Sequence, residues 1–261
     1  MRSRAGWRAS SSLAVLALVG AGCVTTPVTG KQAFLPIPVS QDLVLGAQAF
    51  DQVLATENVV TSGREKEIVE RVMNRLVAVA DDEGYDWEVV LIDAPETVNA
   101  FALPGGKMAV YTGILPVCAD ERGDIENGLA VVMGHEIGHV VARHGMQRVT
   151  QQMGLDLVLS LLNAGQYQEV VGQLAAVTLT LPNGRADESE SDHIGLIYMA
   201  RAGYDPREAP AFWSRMSQLT GGGGPPEFLS THPSHETRVS QLNDLMPTAL
   251  NEYEAARGAR P

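Results

Sequence analysis

The chain is poor in three things. It has two cysteines, Cys23 and Cys118, in 261 residues, too few for a disulfide framework. It is short of positive charge, with 19 Lys and Arg against 31 Asp and Glu and a formal net charge of −12. Three of those cations, Arg2, Arg4 and Arg8, lie at the very start, and without them the balance is 16 against 31, a net charge of −15. An acidic body argues against nucleic acid as a partner, since phosphate backbones are held by clustered Lys and Arg. The third lack is a long apolar run. Leu13–Val19 and the apolar stretches between Val149 and Leu181 fall short of the roughly 20 residues that a bilayer-spanning helix needs. What is present is a hydrophobic content of 45%, enough to build a core of fair size and to exclude wholesale disorder.

The most informative stretch is His135-Glu136-Ile137-Gly138-His139, an H-E-x-x-H pattern inside a long apolar segment. Residues four apart on a helix share a face, so both imidazoles can point at one metal ion. Glu136 is then placed to take a proton from a water beside that ion. A histidine six residues beyond His139 would mark another class of zinc site, but that position is Gly145, so a further ligand must come from elsewhere.

The N-terminus reads as an export signal. Residues 1–22 combine three arginines, the run LAVLALV and the small residues Gly20-Ala21-Gly22. Cys23 follows, in a placement that resembles a bacterial lipobox, although Gly20 stands where such boxes carry a larger apolar residue. That resemblance implies lipid on Cys23 and a membrane tether facing the periplasm. Val24, rather than an Asp, favours the outer membrane. Residues 23–39, with prolines at 27, 36 and 38, are expected as a tether, 40–248 as the working domain and 249–261 as a frayed tail.

Within the domain the periodicity predicts helices over 40–56, 63–80 and 120–148. Strands are expected over 86–92, 97–103 and 107–112, paired mostly antiparallel because the connections are short. A helical hairpin over 149–181, able to act in part as a lid, precedes helices over 185–200 and 207–219 and a last helix ending near Met246. Asn99, Ala100, Phe101 and Ala102 lie on a strand that could offer its edge to an extended peptide. Gly134 and Gly138 weaken the central helix by about 1 kcal/mol each, which implies close approach of another backbone or room for a ligand. His144, off the metal-facing line, reads as a surface residue or one behind the ligands.

The helix beginning near Arg185 carries Asp187, Glu188, Glu190 and Asp192. Glu188 and Asp192 share a face. One can be the third zinc ligand and the other can accept a hydrogen bond from a ligating histidine. Glu188 completes a His135, His139 and Glu188 set, with Asp187 and Glu190 as alternatives. His232, His235 and Arg238 are donor or cationic groups available to steady an oxyanion.

Five separated motifs occur in order: Asn99–Gly106, His135–His139, Glu188–Asp192, Ala202–Pro206 and Thr231–Arg238. Together they resemble the soluble bacterial branch of the zinc peptidase family that also contains the CAAX prenyl endopeptidases and the HtpX-type heat-shock proteases. The resemblance runs from about Pro27 to about Met246. It implies an α+β, mainly helical gluzincin domain with a small sheet and an active-site helix, one zinc ion per chain on His135, His139 and Glu188, and Glu136 as catalytic base. It further implies that Asp192 supports a zinc-bound histidine, with Arg238 beside it behind the ligands, and that His232 can occupy the open zinc position and hold the enzyme latent. Ser191 replaces the family's usual Ala. Some periplasmic relatives carry a C-terminal TPR array, and none is expected here. The implied function is a metalloendopeptidase acting on unfolded or mis-assembled envelope proteins, with a chaperone-like or scaffolding zinc lipoprotein as the rival.

Overall fold

The computed structural model describes residues 22–80, 84–219, 226–233 and 236–258. Most of the expected export signal, and His235, lie outside them. The chain opens with a hairpin of β1 (Cys23–Thr25) and β2 (Gln32–Phe34), then α1 (Val39–Leu54) and α2 (Arg64–Val77). Strands β3 (Glu88–Ile92), β4 (Ala100–Leu103) and β5 (Lys107–Tyr111) lead into the short α3 (Leu115–Cys118). Helices follow: α4 (Glu126–Val141), α5 (His144–Met153), α6 (Leu155–Asn163), α7 (Tyr167–Leu179), α8 (Arg185–Arg201), α9 (Glu208–Gln218), α10 (Glu227–Thr231) and α11 (Glu236–Gly258).

The sheet divides two cores. On one face Leu91, Ala100, Ala102, Met108 and Val110 pack with α2, α4, α8 and α9. On the other, Ile92, Phe101, Leu103, Ala109 and Tyr111 pack with α1 and with α5 to α7. This is strand alternation in a sheet covered on both sides. Sheet order is β3-β5-β4. Strands β4 and β5 are antiparallel, as are β1 and β2, so antiparallel pairing predominates. β3, however, lies parallel to β5, because β4 crosses to the far side and leaves β3 beside a strand it does not follow in sequence.

The expected single helix over 120–148 is two. α4 begins at Glu126, ends at Val141 and is buried continuously from Gly128 onward. Arg143 then adopts a left-handed conformation, φ 56°, which is uncommon for a residue with a side chain. Its guanidinium is committed elsewhere: Nε and Nη2 donate to the two Asp42 carboxylate oxygens at 2.8 Å, and Nη2 to the Ile37 carbonyl at 2.7 Å. The turn at Arg143 ends α4 and sends α5 into the other core, against α6 and α7.

The ends also differ from expectation. Residues 23–39 are no free tether: the hairpin leads into buried Leu35 and Ile37. Nor is 249–258 a tail. α11 continues through Pro247, with Ala249 buried and Glu252 3.1 Å from Arg201. Apolar residues at helical spacing on α8 and α9 hold it down.

α4 and α8 cross at glycines. A Cβ on Gly195 would stand 2.7 Å from Gly134 C and His135 N, and one on Gly138 would stand 2.8 Å from the Ser191 carbonyl. The close-approach reading of Gly134 and Gly138 therefore holds. Backbone lies against backbone, and the acidic start of α8 is set beside the histidines of α4. Gly195→Ala must push the helices apart, and an overpacked core of this kind loses about 1–3 kcal/mol. Urea unfolding is expected to show that loss, while Gly172→Ala on α7, with nothing within 4 Å of its Cβ, is neutral or stabilising.

Candidate metal centre

α4 is buried on nearly all sides, so His135, Glu136 and His139 need partners away from water. For His135 the partner is Asp192, one turn beyond Glu188 on α8, whose Oδ1 lies 2.9 Å from Nδ1. Burial alone would raise the Asp192 carboxyl, but Arg238 holds it below its usual range. Nε of Arg238 donates to Asp192 Oδ2 and Nη2 to Oδ1, both at 2.7 Å, and the guanidinium lies 3.7 Å from the Trp213 ring centre. An ionised Asp192 accepts only, so Nδ1 of His135 donates to it and Nε2 is the nitrogen turned toward the cluster.

His139 is arranged in the same sense by a longer route. Its Nδ1 lies 3.0 Å from His144 Nδ1, and His144 Nε2 lies 3.1 Å from Glu190 Oε2. Burial opposes ionisation of Glu190, but His144 and Lys31 bring it from 4.5 to about 2. His144 is buried, so it is the residue behind the ligand line rather than the surface one.

His232 arrives from the other side of the fold. It stacks on Phe228 with ring centres 4.5 Å apart. The Phe228 N–H donates to the Val98 carbonyl just before β4, at 3.1 Å. Arg148 donates to the Asn183 side-chain oxygen, which turns the amide nitrogen toward His232 Nδ1 at 3.2 Å.

Four acceptors thus converge. His135 Nε2 and His139 Nε2 are 3.1 Å apart, and His232 Nδ1 is 3.2 Å from His135 Nε2. Glu188 Oε1 is 3.2 Å from His139 Nε2 and 3.0 Å from His232 Nδ1. Glu188 Oε2 stands 2.8 Å from Arg238 Nη1, yet that contact lacks hydrogen-bond geometry and the oxygen accepts no hydrogen bond. All four side chains offer their ligand atoms within 4.8 Å of one another. The cluster demands positive charge. Burial would lower the His135 imidazole, but Glu188 and Asp192 outweigh it and raise it to about 9. Burial drives His139 well down, and despite burial His232 and His135 drive Glu188 well down. Inward-turned imidazole nitrogens and an ionised carboxylate with an orphaned oxygen fit a metal ion, whose charge would stand in for the proton on His135.

Residues 63–246 match the model of peptidase family M48. The chain belongs to that family. It is 33% identical to the mitochondrial metalloendopeptidase OMA1 of Schizosaccharomyces pombe over 238 residues, 88% of this chain and 68% of that protein. Against human metalloendopeptidase OMA1 the identity is 30%, over 88% of this chain and 47% of the relative. Against the β-barrel assembly-enhancing protease of Escherichia coli it is 27%, over 88% and 50%. The chain thus spans about half the length of the human and E. coli proteins. The family resemblance read from the five motifs is borne out, and the chain is a metallopeptidase.

Glu136 lies beside the M48 cluster. Its Oε1 is 3.3 Å from His232 Nε2 and accepts no hydrogen bond, while the Ala102 N–H on β4 donates to the carboxylate. Burial raises its carboxyl above the usual range. Phe101 and Ala102 line a small cavity with Glu136, His139, Arg148, Thr178 and His232, so α5 and α7 wall this side of β4. Asn99 and Ala100 do not line it. The Asn99 side chain accepts from the Ala100 N–H at 2.9 Å, and the Ala100 side chain faces the other core. Arg238 is committed to Asp192 and Glu188 rather than left available for an oxyanion. Sequence reasoning missed Asn183, Lys31 and the link between His144 and Glu190. That link had a signal: both residues fall off the ligand-facing lines of their helices, which two facing helices can bring to the same side.

Among the described residues no helix is long and apolar enough to cross a membrane. The depressed Glu190 carboxyl has a consequence for stability. Its folded value, about 2, is below its ordinary 4.5, so its contribution is present above 4.5 and is lost as pH falls toward 2. In urea titrations of metal-free protein, Glu190→Gln is expected to flatten that acid limb and leave the shape of the profile above pH 5 unchanged.

Proposed function

We propose that the chain is a zinc-dependent metalloendopeptidase of the bacterial cell envelope. In this reading lipid on Cys23 tethers it to a membrane, the outer one favoured, and its substrates are unfolded or mis-assembled envelope proteins. The observation that carries the chemistry is the convergence of His135 Nε2, His139 Nε2 and the Glu188 carboxylate on one buried point. Two imidazoles and a carboxylate are the ligand set of open catalytic zinc sites. The names of the metalloendopeptidase and β-barrel assembly-enhancing relatives support the class of activity and the envelope setting. The export-signal pattern before Cys23 supports the tether.

Zinc held by His135, His139 and Glu188 would supply a Lewis acid that acidifies a water and polarises the scissile carbonyl. Glu136, its basicity raised by burial and one oxygen unpaired, takes the proton and delivers it to the leaving amine. Asp192 keeps the His135 hydrogen on Nδ1. Phe101 and Ala102, on the strand that walls the cavity, receive the substrate backbone. His232, within 3.0 Å of Glu188 and 3.3 Å of Glu136, fills the remaining side of the cluster, so the resting enzyme is latent until this segment withdraws. A chaperone-like role remains the rival. A Glu136→Gln chain that restores function in a deletion strain would favour it.

Glu136→Gln is expected to cut peptidase activity by about 10²–10⁴-fold with zinc content unchanged. Full activity with zinc bound would sink the mechanism. Glu188→Ala is expected to lower zinc content, measured by atomic absorption. His232→Ala is expected to raise the hydrolysis rate of a blocked peptide, and a fall would make His232 an oxyanion donor instead.

A further inference from the structure

We infer that Lys31, Glu190 and His144 form a positioning chain for His139, which makes the N-terminal hairpin a working part of the metal centre. The inference rests on the zinc reading above. Between His139 Nδ1 and His144 Nδ1, 3.0 Å apart, there is room for one hydrogen. Which ring carries it decides whether His139 turns a lone pair or an N–H toward Glu188 and His135. Glu190 makes the choice. Its Oε2 takes the hydrogen of His144 Nε2 at 3.1 Å, which leaves His144 Nδ1 bare and keeps the shared hydrogen on His139. The Ser191 hydroxyl, 3.3 Å from the same His144 nitrogen, agrees with an acceptor there. His139 Nε2 then faces the cluster with its lone pair.

Glu190 is held in turn from the hairpin turn between β1 and β2. Lys31 Nζ donates to Oε2 at 2.6 Å and Thr29 Oγ1 to Oε1 at 2.9 Å. Lys31 also stands 3.6 Å from Asp187, which is grouped with Glu190 and His144. Those three groups have the spacing of a second cation cluster, and the Lys31 ammonium supplies the positive charge among them. The two ligating histidines are therefore backed alike by a carboxylate and a cation. For His135 these are Asp192 and Arg238, in direct contact. For His139 they are Glu190 and Lys31, acting through one extra imidazole that is within reach because the chain turns at Arg143.

The test is zinc affinity of the purified full chain, by competition with a chromophoric chelator, with the visible spectrum of the cobalt-loaded protein beside it. Glu190→Gln and His144→Ala are expected to weaken zinc binding by about 10–100-fold and to shift the cobalt bands. His144→Gln, which keeps an acceptor facing His139, is expected to recover part of the loss. Lys31→Met should weaken binding less, and add little on top of Glu190→Gln, because both act through one chain. If His144→Ala does not fold by circular dichroism, Glu190→Gln and Lys31→Met decide. Wild type that binds zinc beside variants within about twofold of it would overturn the positioning chain alone. Wild type that takes up no zinc would overturn the zinc reading, and the chain with it.

Discussion

The structure is organised by a shortage of hydrogen at one buried point. His135 turns Nδ1 outward to Asp192 and His139 turns Nδ1 outward to His144, and Glu188 and His232 face the two Nε2 atoms on the inward side. Acceptors crowded in a dry interior repel unless something positive lies among them. In the protein alone that demand shows as a proton drawn strongly to His135 and as carboxylates held ionised against burial.

The packing of α4 on α8 is what makes the point so tight. Gly134, Gly138 and Gly195 let backbone touch backbone, so Glu188 and Asp192 reach across at side-chain length. Such contact would be useless without Arg238, which comes from α11 and neutralises the acidic start of α8 from behind. A buried ion pair of this kind contributes little net stability, since desolvation consumes most of the attraction, and breaking it is costly. Its value here lies in orientation: two bonds to Asp192 fix that carboxylate, and the carboxylate fixes the imidazole. The first turn of the last helix is therefore part of the centre.

Much of this was legible because it is local. His135, Glu136 and His139 lie within five residues, and helical spacing alone puts the histidines on one face. Glu188 and Asp192 needed one further step, the matching of an acidic turn to a helix that lacked a ligand. The strands of the small sheet were legible from alternation, but not the neighbour of β3, because order in a sheet is a tertiary property. The break at Arg143 was illegible for a similar reason. Nothing in the helical pattern announces it, and the carboxylate that holds the Arg143 side chain there is Asp42, 101 residues away. The folded-back His144 and its link to Glu190 follow from that break. Lys31 lay in a proline-bearing stretch that reads as linker, and only the contact with Glu190 gives it a place.

His232 shows why a cluster legible in parts has properties that its parts lack. Its ring is fixed by Phe228 on one side and by the Asn183 amide on the other, and neither belongs to the H-E-x-x-H helix. The two anchors tie it to separate elements. Phe228 hangs on the backbone before β4, and Asn183 hangs on Arg148 of α5. Moving His232 away from Glu136 and Glu188 therefore requires loosening either the stack on Phe228 or the turn between α7 and α8. That turn follows α7, one of the two helices that wall β4. Thr178 and Asn183 line the same cavity as Phe101, Ala102 and Glu136, so the inner side of β4 and the ring of His232 share one wall.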